Sequence, residues 1–522
     1  MSDIRPAPSH TVAYILLMLA AFLAGIAVAS LMPAFEGYDE TAHWSTIQQW
    51  ADTGHGPEYD RDRVSGDIDR YAGPVAYSNP NRNIQNLDYK KFRLMGAPDL
   101  TTRPTVFHNG FYLNWEAQHP PLYYVLMTPL YDAARGLAFK NNLLVLRLGS
   151  WVLAFAGILI AAEGSRRFIA DGGRVALFMA AWPFLVPEFL PEMARVGNDS
   201  LCLCLFGVGW ALLMRLLQPQ GGWRWSIGLG IALGLGLLTK ALFLPIIFAL
   251  ALLLLMRWAR ERTAARAVEL ALTVGIALSI SLWWYLDRQA HTGSFTGADE
   301  FIRLGHSGDG SWSGILQNFS FLEFLRGLAN IGIDFLWGGT WSFAEPHATL
   351  LIGVGLLVAV PLFNWMRDYR KMTWTDLAAL LPPAGLAASL VYHVLVMIGL
   401  TGSGAGTPGH YLHIVAPAIA FAVARGWRWK PTWVGLGLVV WTAAFTIYIW
   451  VMQLSLFSGC ASKDQVRNHY VLDQGCFVDF HSLSVLSHPW LGGAALVLTV
   501  LLAAAAGLRS RPAAQDRQPI PL

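Results

Sequence analysis

Apolar runs long enough to cross a bilayer recur along the chain, and they constrain its fold more than any other feature. The first, Thr11 to Met32, is about 22 residues long behind a single Arg5, and roughly 20 apolar residues in a helix span the hydrocarbon core. Others fall near 143–163, 174–191, 199–217, 225–239, 241–257, 266–286, 348–366, 376–398, 409–425, 432–456 and 489–508. Only 14% of the residues are charged and 54% are hydrophobic, against about 25% charged in soluble domains. Mean hydropathy is +0.42. The reading is an all-α polytopic membrane protein with about twelve spans and membrane lipids as its surroundings. The net charge of +3 says little by itself, and no nucleic-acid partner is expected. Ala27-Val28-Ala29-Ser30 resembles a signal-peptidase site, but the run exceeds the roughly 7–15 residues of a signal core, so a retained helix is expected.

Charge distribution gives the orientation. Arg166, Arg167 and Arg174 share one short loop, and Arg257, Arg260, Arg262 and Arg266 another. Arg367, Arg370 and Lys371, then Arg425, Arg428 and Lys430, then Arg509 and Arg511 follow at later span ends. All fall on the side of the N-terminus, and the positive-inside rule puts both termini in the cytoplasm. Loops 33–142, 287–347 and 457–488 then lie outside. The first is the largest, irregular from Asp52 to Pro104. It closes on Pro120-Pro121, which starts an apolar-aromatic helix too short to span and suited to the interface. Cys460 and Cys476 lie in a polar outer loop where a disulfide is possible, whereas Cys202 and Cys204 sit in an apolar span as inert core.

Chemistry is concentrated on that outer side. Tyr38-Asp39-Glu40-Thr41-Ala42-His43 follows directly on the first span, and ionisable groups beside a bilayer are functional candidates by default. With a helix beginning at Tyr38, Asp39 and His43 share a face. Asp39 is the candidate base; the alternative is that Asp39 and Glu40 complement a helix dipole. Lys240 stands alone among apolar residues at the outer end of a short span, as a snorkelling side chain or a phosphate ligand. Arg195 lies in another tight outer turn, where Asn198 and Asp199 read as helix caps. His410 and His413 open a later span, either as an anion site or as interfacial packing. Trp337-Gly338-Gly339-Thr340-Trp341 reads as a sugar-stacking platform or an interfacial anchor.

Five segments occur in a suggestive order: Tyr38-Asp39-Glu40, His119-Pro120-Pro121-Leu122-Tyr123-Tyr124, Asn198-Asp199-Ser200, Leu237-Leu238-Thr239-Lys240 and Gly409-His410-Tyr411-Leu412. In this the chain resembles the C-type (GT-C) superfamily of integral membrane glycosyltransferases. That superfamily includes protein O-mannosyltransferases, lipid A aminoarabinose transferases and many bacterial relatives. The aromatic-glycine segment is similar to a motif of those bacterial relatives. The resemblance runs from about residue 10 to 425 and implies a catalytic module over 1–425, including outer loop 33–142. Residues 426–522 are then C-terminal spans with outer loop 457–488 and a short tail. It also implies a bacterial inner membrane location and a polyprenyl-phosphate-linked sugar donor. The acceptor would be a glycan, lipid or protein on the outer face.

Carried over residue by residue, the resemblance implies Asp39 as base with Glu40 as understudy. Lys240 would bind the donor phosphate, with Arg195, His410 and His119 beside it, and His43, Tyr123, Trp337 and Trp341 would touch substrate. Two positions depart from the pattern. His119 stands where the aminoarabinose branch often has Lys, and His410 where relatives commonly have Arg, so phosphate binding depends on histidine charge. The expected reaction is inverting transfer by direct displacement, with Asp39 taking the acceptor proton and cations stabilising the departing phosphate. No cofactor is expected; a divalent ion held by Asp39, Glu40 and His43 is the alternative. A flippase for a lipid-linked sugar and an oligosaccharide polymerase or ligase using a diphosphate carrier are the rival functions.

Overall fold

A computed structural model describes residues 8–59, 61–71, 107, 112–296, 308–340, 346, 348–427 and 488–509, with single positions and a short hairpin between 448 and 472. The architecture is helical. In order come α1 (Pro8–Leu31), α2 (Glu40–Thr53), α3 (Leu122–Ala134), α4 (Phe139–Phe168), α5 (Gly172–Leu185), α6 (Asp199–Leu216) and α7 (Trp223–Leu237). Then follow α8 (Phe243–Glu261), α9 (Ala264–Thr292), α10 (Phe321–Trp337), α11 (Ala348–Arg367), α12 (Trp374–Thr401), α13 (Ala416–Gly426) and α14 (Pro489–Arg509). Ala461–Asp464 and His469–Leu472 pair as an antiparallel hairpin.

Among the described residues, seven helices are long and apolar enough to cross a membrane, with Gly172–Leu185 and Trp490–Ala506 as shorter apolar helices. The protein is therefore an integral membrane protein by the length and composition of its helices. The structure departs from the expected spans in two places. Residues 409–425 form a 3-10 turn, Gly409–Val415, and then the short α13 rather than one span. The expected span near 174–191 ends at Leu185, because Val186 is extended ahead of Pro187, a residue that disfavours helix before it. Most of 432–456 lies outside the described residues, as does Cys476, while Cys460 is disulfide-bonded and Cys202 and Cys204 are free.

Small residues set the closest packing. A Cβ on Gly157 of α4 would lie 2.5 Å from the Leu203 carbonyl oxygen, and one on Gly207 of α6 would lie 2.1 Å from the Gly157 carbonyl oxygen. The α4 and α6 backbones thus touch as only glycine permits, the usual means of association in lipid. α14 lies along α1, tied where the His488 N–H donates to the Ser30 carbonyl at 2.8 Å.

The basic helix ends meet at one end of the bundle. Arg425, closing α13, reaches Asp171 before α5 at 3.3 Å and Asp376 of α12 at 3.7 Å. Arg257 of α8 donates to the Leu216 carbonyl that ends α6 at 3.1 Å, and Arg260 stacks on Trp374. The opposite end collects the segments that follow α1, α7 and α12 and precede α6. Those segments carry the candidate site.

Candidate active site

After α1 the chain turns sharply through Phe35 (φ 61°) and Asp39 (φ 55°), both left-handed. Non-glycine residues hold that conformation at a cost of about 1–3 kcal/mol, and such strain collects at functional sites. Consequently α2 begins at Glu40, one residue after Asp39, and the helix expected from Tyr38 is shorter. The Asp39 side chain does not cap α2. Its Oδ1 instead accepts a hydrogen bond from Trp115 Nε1 at 3.2 Å. Burial pushes the Asp39 carboxyl above its ordinary range, while the positive charges of Arg195, Lys240 and His410 pull it back.

Glu40 has different company. Arg147 Nε and Nη2 donate to its two oxygens at 2.7 and 2.6 Å, and the Val196 N–H donates to Oε1 at 3.0 Å. Arg147 also donates to the carbonyls of Met32 and Pro33 at 2.6 Å each. The pair is sealed from solvent and fastens the start of α2 to α4 and the end of α1.

Three cations from three loops converge near Asp39, and each has a carboxylate partner. Lys240, in the α7–α8 turn, donates to both Asp199 oxygens at 2.9 Å and lies 4.0 Å from the Tyr411 ring centroid. Arg195 is gripped by Glu192 at 2.6 and 3.0 Å, touches Asp199 at 3.2 Å, and donates to the Tyr38 carbonyl at 2.7 Å. His410 meets Asp334 through Nδ1 and through its backbone N–H, both at 2.8 Å, and its ring stacks on Tyr38. Burial works against charge on His410, but Asp334 and Glu192 overcome it and raise the imidazole to about 9. His410 is therefore cationic at neutral pH.

His119 behaves in the opposite way. Burial and the nearby Lys240 lower it to about 3, so it is a neutral ring 3.4 Å from Glu116 Oε2. Glu116 is a site residue that sequence reasoning missed. Its Oε2 accepts from the Tyr124 hydroxyl at 2.7 Å and lies 3.1 Å from His43 Nδ1. Burial and the neighbouring Asp39 raise Glu116 to about 8. Asp199, expected as a helix cap, holds Lys240 and Arg195 together. Glu116 lies three residues before His119, so its nearness to that motif was the available signal; pairing of Asp199 with Lys240 across 41 positions left none.

The expected substrate contacts fall differently. His43 and Tyr123 are buried in protein at 2% and 0% exposure: His43 against Tyr124 and Glu116, Tyr123 sharing its hydroxyl with Ser150 and the Gly197 N–H. Trp337 is buried against Val354 and Leu336. The glycines after it are stitched to the Asp39 loop, since Gly338 O accepts from the Tyr38 hydroxyl at 2.6 Å and Thr340 donates to Glu36 at 2.5 Å. Trp341 lies outside the described residues. Asp39, Glu40 and His43 do not gather into a metal-ligand set, because Glu40 is taken by Arg147 and His43 by Tyr124 and Glu116. Among the described residues no grouping of three or more His, Cys, Asp or Glu suits a metal ion.

Comparison with known proteins gives one family match. Residues 118–285, about a third of the chain, match the family described as dolichyl-phosphate-mannose-protein mannosyltransferase. No curated protein matches the chain. Among solved structures, the chain is similar to ArnT from Cupriavidus metallidurans bound to undecaprenyl phosphate, at 15% identity and TM-score 0.47, over 95% of this chain and 77% of that one. The apo state of ArnT matches at 16% identity and TM-score 0.45 over 95% and 77%. An Archaeoglobus fulgidus oligosaccharyltransferase in complex with zinc and sulfate matches at 13% identity and TM-score 0.39, over 94% and 53%. The match over residues 118–285, which takes in the His119-Pro120-Pro121 and Lys240 motifs, bears out the resemblance to the C-type membrane glycosyltransferases.

Proposed function

We propose that the protein is an inverting glycosyltransferase that moves a sugar from a polyprenyl-phosphate carrier to an acceptor hydroxyl on the extracytoplasmic face of the membrane. The single observation that carries this reading is Asp39, a carboxylate released from helix capping, lying in the field of Arg195, Lys240 and His410. The family description, a mannosyltransferase using a dolichyl-phosphate sugar, supports a lipid-phosphate donor. Basic helix ends gathered away from the site support a cytoplasmic face there and an outward-facing site.

In the reaction, Asp39 accepts the acceptor hydroxyl's proton as that oxygen attacks the anomeric carbon. The bond from that carbon to the phosphate oxygen breaks, and the electron pair leaves on the polyprenyl phosphate. A phosphate leaving group needs little protonation, so fixed positive charge replaces a general acid. Lys240, Arg195 and His410 supply it, held in place and kept charged by Asp199, Glu192 and Asp334. Glu40 serves as an anchor of the loop, and neutral His119 as a hydrogen-bonding ring at its edge. His43 and Tyr123 support the loop from behind. The sugar and the acceptor (lipid A, a surface polysaccharide, a teichoic-type polymer or protein) are for experiment to name.

The test uses purified protein in vesicles with a monosaccharide polyprenyl phosphate and candidate acceptors. Release of free carrier phosphate with sugar on an acceptor supports the proposal. Movement of the intact donor across the bilayer without bond cleavage supports a flippase and overturns it.

A further inference from the structure

Asp39 carries the proposed chemistry, yet its own element does not fix its carboxylate: the residue precedes α2, has a left-handed backbone and makes no cap bond. Among the described residues, the one hydrogen bond to that carboxylate comes from the Trp115 indole, at 3.2 Å to Oδ1. Trp115 is 1% exposed and opens the 3-10 turn Trp115–Gln118. The turn is tied directly to the helix that follows Asp39. Asn114 Oδ1 accepts from the Glu116 N–H at 3.0 Å, while its Nδ2 donates to Thr46 Oγ1 of α2 at 3.0 Å. The Asn114 N–H donates to the Asp62 carbonyl at 2.9 Å, and Asp62 accepts from Gln49 of α2 at 2.5 Å. The indole N–H is thereby held in register with the carboxylate through buried polar bonds rather than through a mobile loop.

We propose that Trp115 is a positioning residue for the transfer reaction: its N–H fixes Oδ1 of Asp39 and leaves Oδ2 to receive the acceptor hydroxyl's proton. This rests on the reading of Asp39 as the base. A carboxylate with one oxygen pinned presents the other in one direction, as proton abstraction in the attack geometry requires. The same bond favours the ionised form, adding to the positive fields of Arg195, Lys240 and His410 and opposing burial. Indole has a donor and no acceptor, so it holds the carboxylate without competing for the proton.

The decisive variant replaces Trp115 with β-(3-benzothienyl)alanine, which keeps the ring shape and puts sulfur in place of the N–H. In reconstituted vesicles, kcat is expected to fall ~10-fold or more, the loss of a hydrogen bond to a charged group. KM for the polyprenyl-phosphate sugar stays within about two-fold on the same reasoning, since the donor does not use this bond. The acid limb of the pH–rate profile moves to higher pH, because the carboxyl loses a bond that stabilised its charge. Wild-type kcat and an unmoved acid limb overturn the inference, and so does a kcat loss with no shift of that limb, which marks packing alone. Asp39→Asn separates the two readings. If it stays active, the assignment of the base fails; if it is inactive while the benzothienyl variant behaves as wild type, only the role of Trp115 fails.

Discussion

Arg147 of α4 and Glu40 at the first position of α2 form a two-point ion pair, 2.6 and 2.7 Å long, with neither side chain exposed. It joins the loop carrying Asp39 to the body of the bundle. Removing one partner leaves a buried charge unpaired, at a cost of about 3–5 kcal/mol. Glu40→Ala is therefore expected to lower thermal stability in detergent sharply, and Arg147→Met to do the same. The paired change Glu40→Leu with Arg147→Met should recover much of the loss. Thermal unfolding of the three purified variants checks this; a stable but inactive Glu40→Ala would return Glu40 to the chemistry.

Asp39→Asn should behave in the opposite manner. The carboxamide keeps the volume and can still accept from Trp115, so expression and donor binding are expected to stay near wild type. Transfer should be abolished, because the amide cannot take the acceptor proton. Retained turnover in vesicles would remove Asp39 from the mechanism.

The contrast between these adjacent acids marks the limit of what the sequence discloses. Hydropathy locates most of the spans, although those near 174–191 and 409–425 are broken, and the spacing of basic loops places Asp39, Arg195, Lys240 and His410 on one side. Motif position alone could not divide labour between Asp39 and Glu40, because the division depends on Arg147, 107 positions away. It depends also on a left-handed backbone at Asp39 that no propensity for a helix start from Tyr38 foretold. Charge partners were equally hidden. His410 is legible as an anion site, yet its charge follows from Asp334 on α10 and from Glu192, and the neutrality of His119 follows from its burial and from Lys240 on the α7–α8 turn. Tyr123 lies in a motif and His43 just beyond one, yet both side chains are buried in protein, since a motif does not say which way a residue points.

Asp199 should matter as much as Lys240. Its two oxygens hold the ammonium at 2.9 Å, and it also contacts Arg195, so Asp199→Asn leaves two cations without their shared anion. Lys240→Ala is expected to weaken donor binding and lower the rate about 100–1,000-fold, the usual loss for one stabilising donor. Asp199→Asn should give a comparable fall in rate with a smaller change in donor affinity, since the ammonium is present but poorly aimed. Equilibrium binding of a labelled polyprenyl-phosphate sugar, measured beside turnover, distinguishes the two. Unchanged affinity in Lys240→Ala would take the lysine out of the site.

His410 supplies the pH prediction. Its folded-state value of about 9 exceeds the ordinary histidine value near 6.5, so its charged form is favoured by folding. The ion pair with Asp334 thus contributes stability that is complete below about pH 6.5 and is lost as pH rises through about 9. Transfer should decline over the same upper window as the cation facing the departing phosphate disappears. His410→Gln is expected to lower the rate at pH 7 and flatten that limb, whereas His410→Arg should preserve the rate and carry the limb to higher pH. Glu116 also titrates near this range, at about 8, so the profile is measured in Glu116→Gln as well. An alkaline limb that survives in Glu116→Gln and vanishes in His410→Gln belongs to the histidine. One that is unmoved in His410→Gln shows that the ring's charge plays no part in turnover.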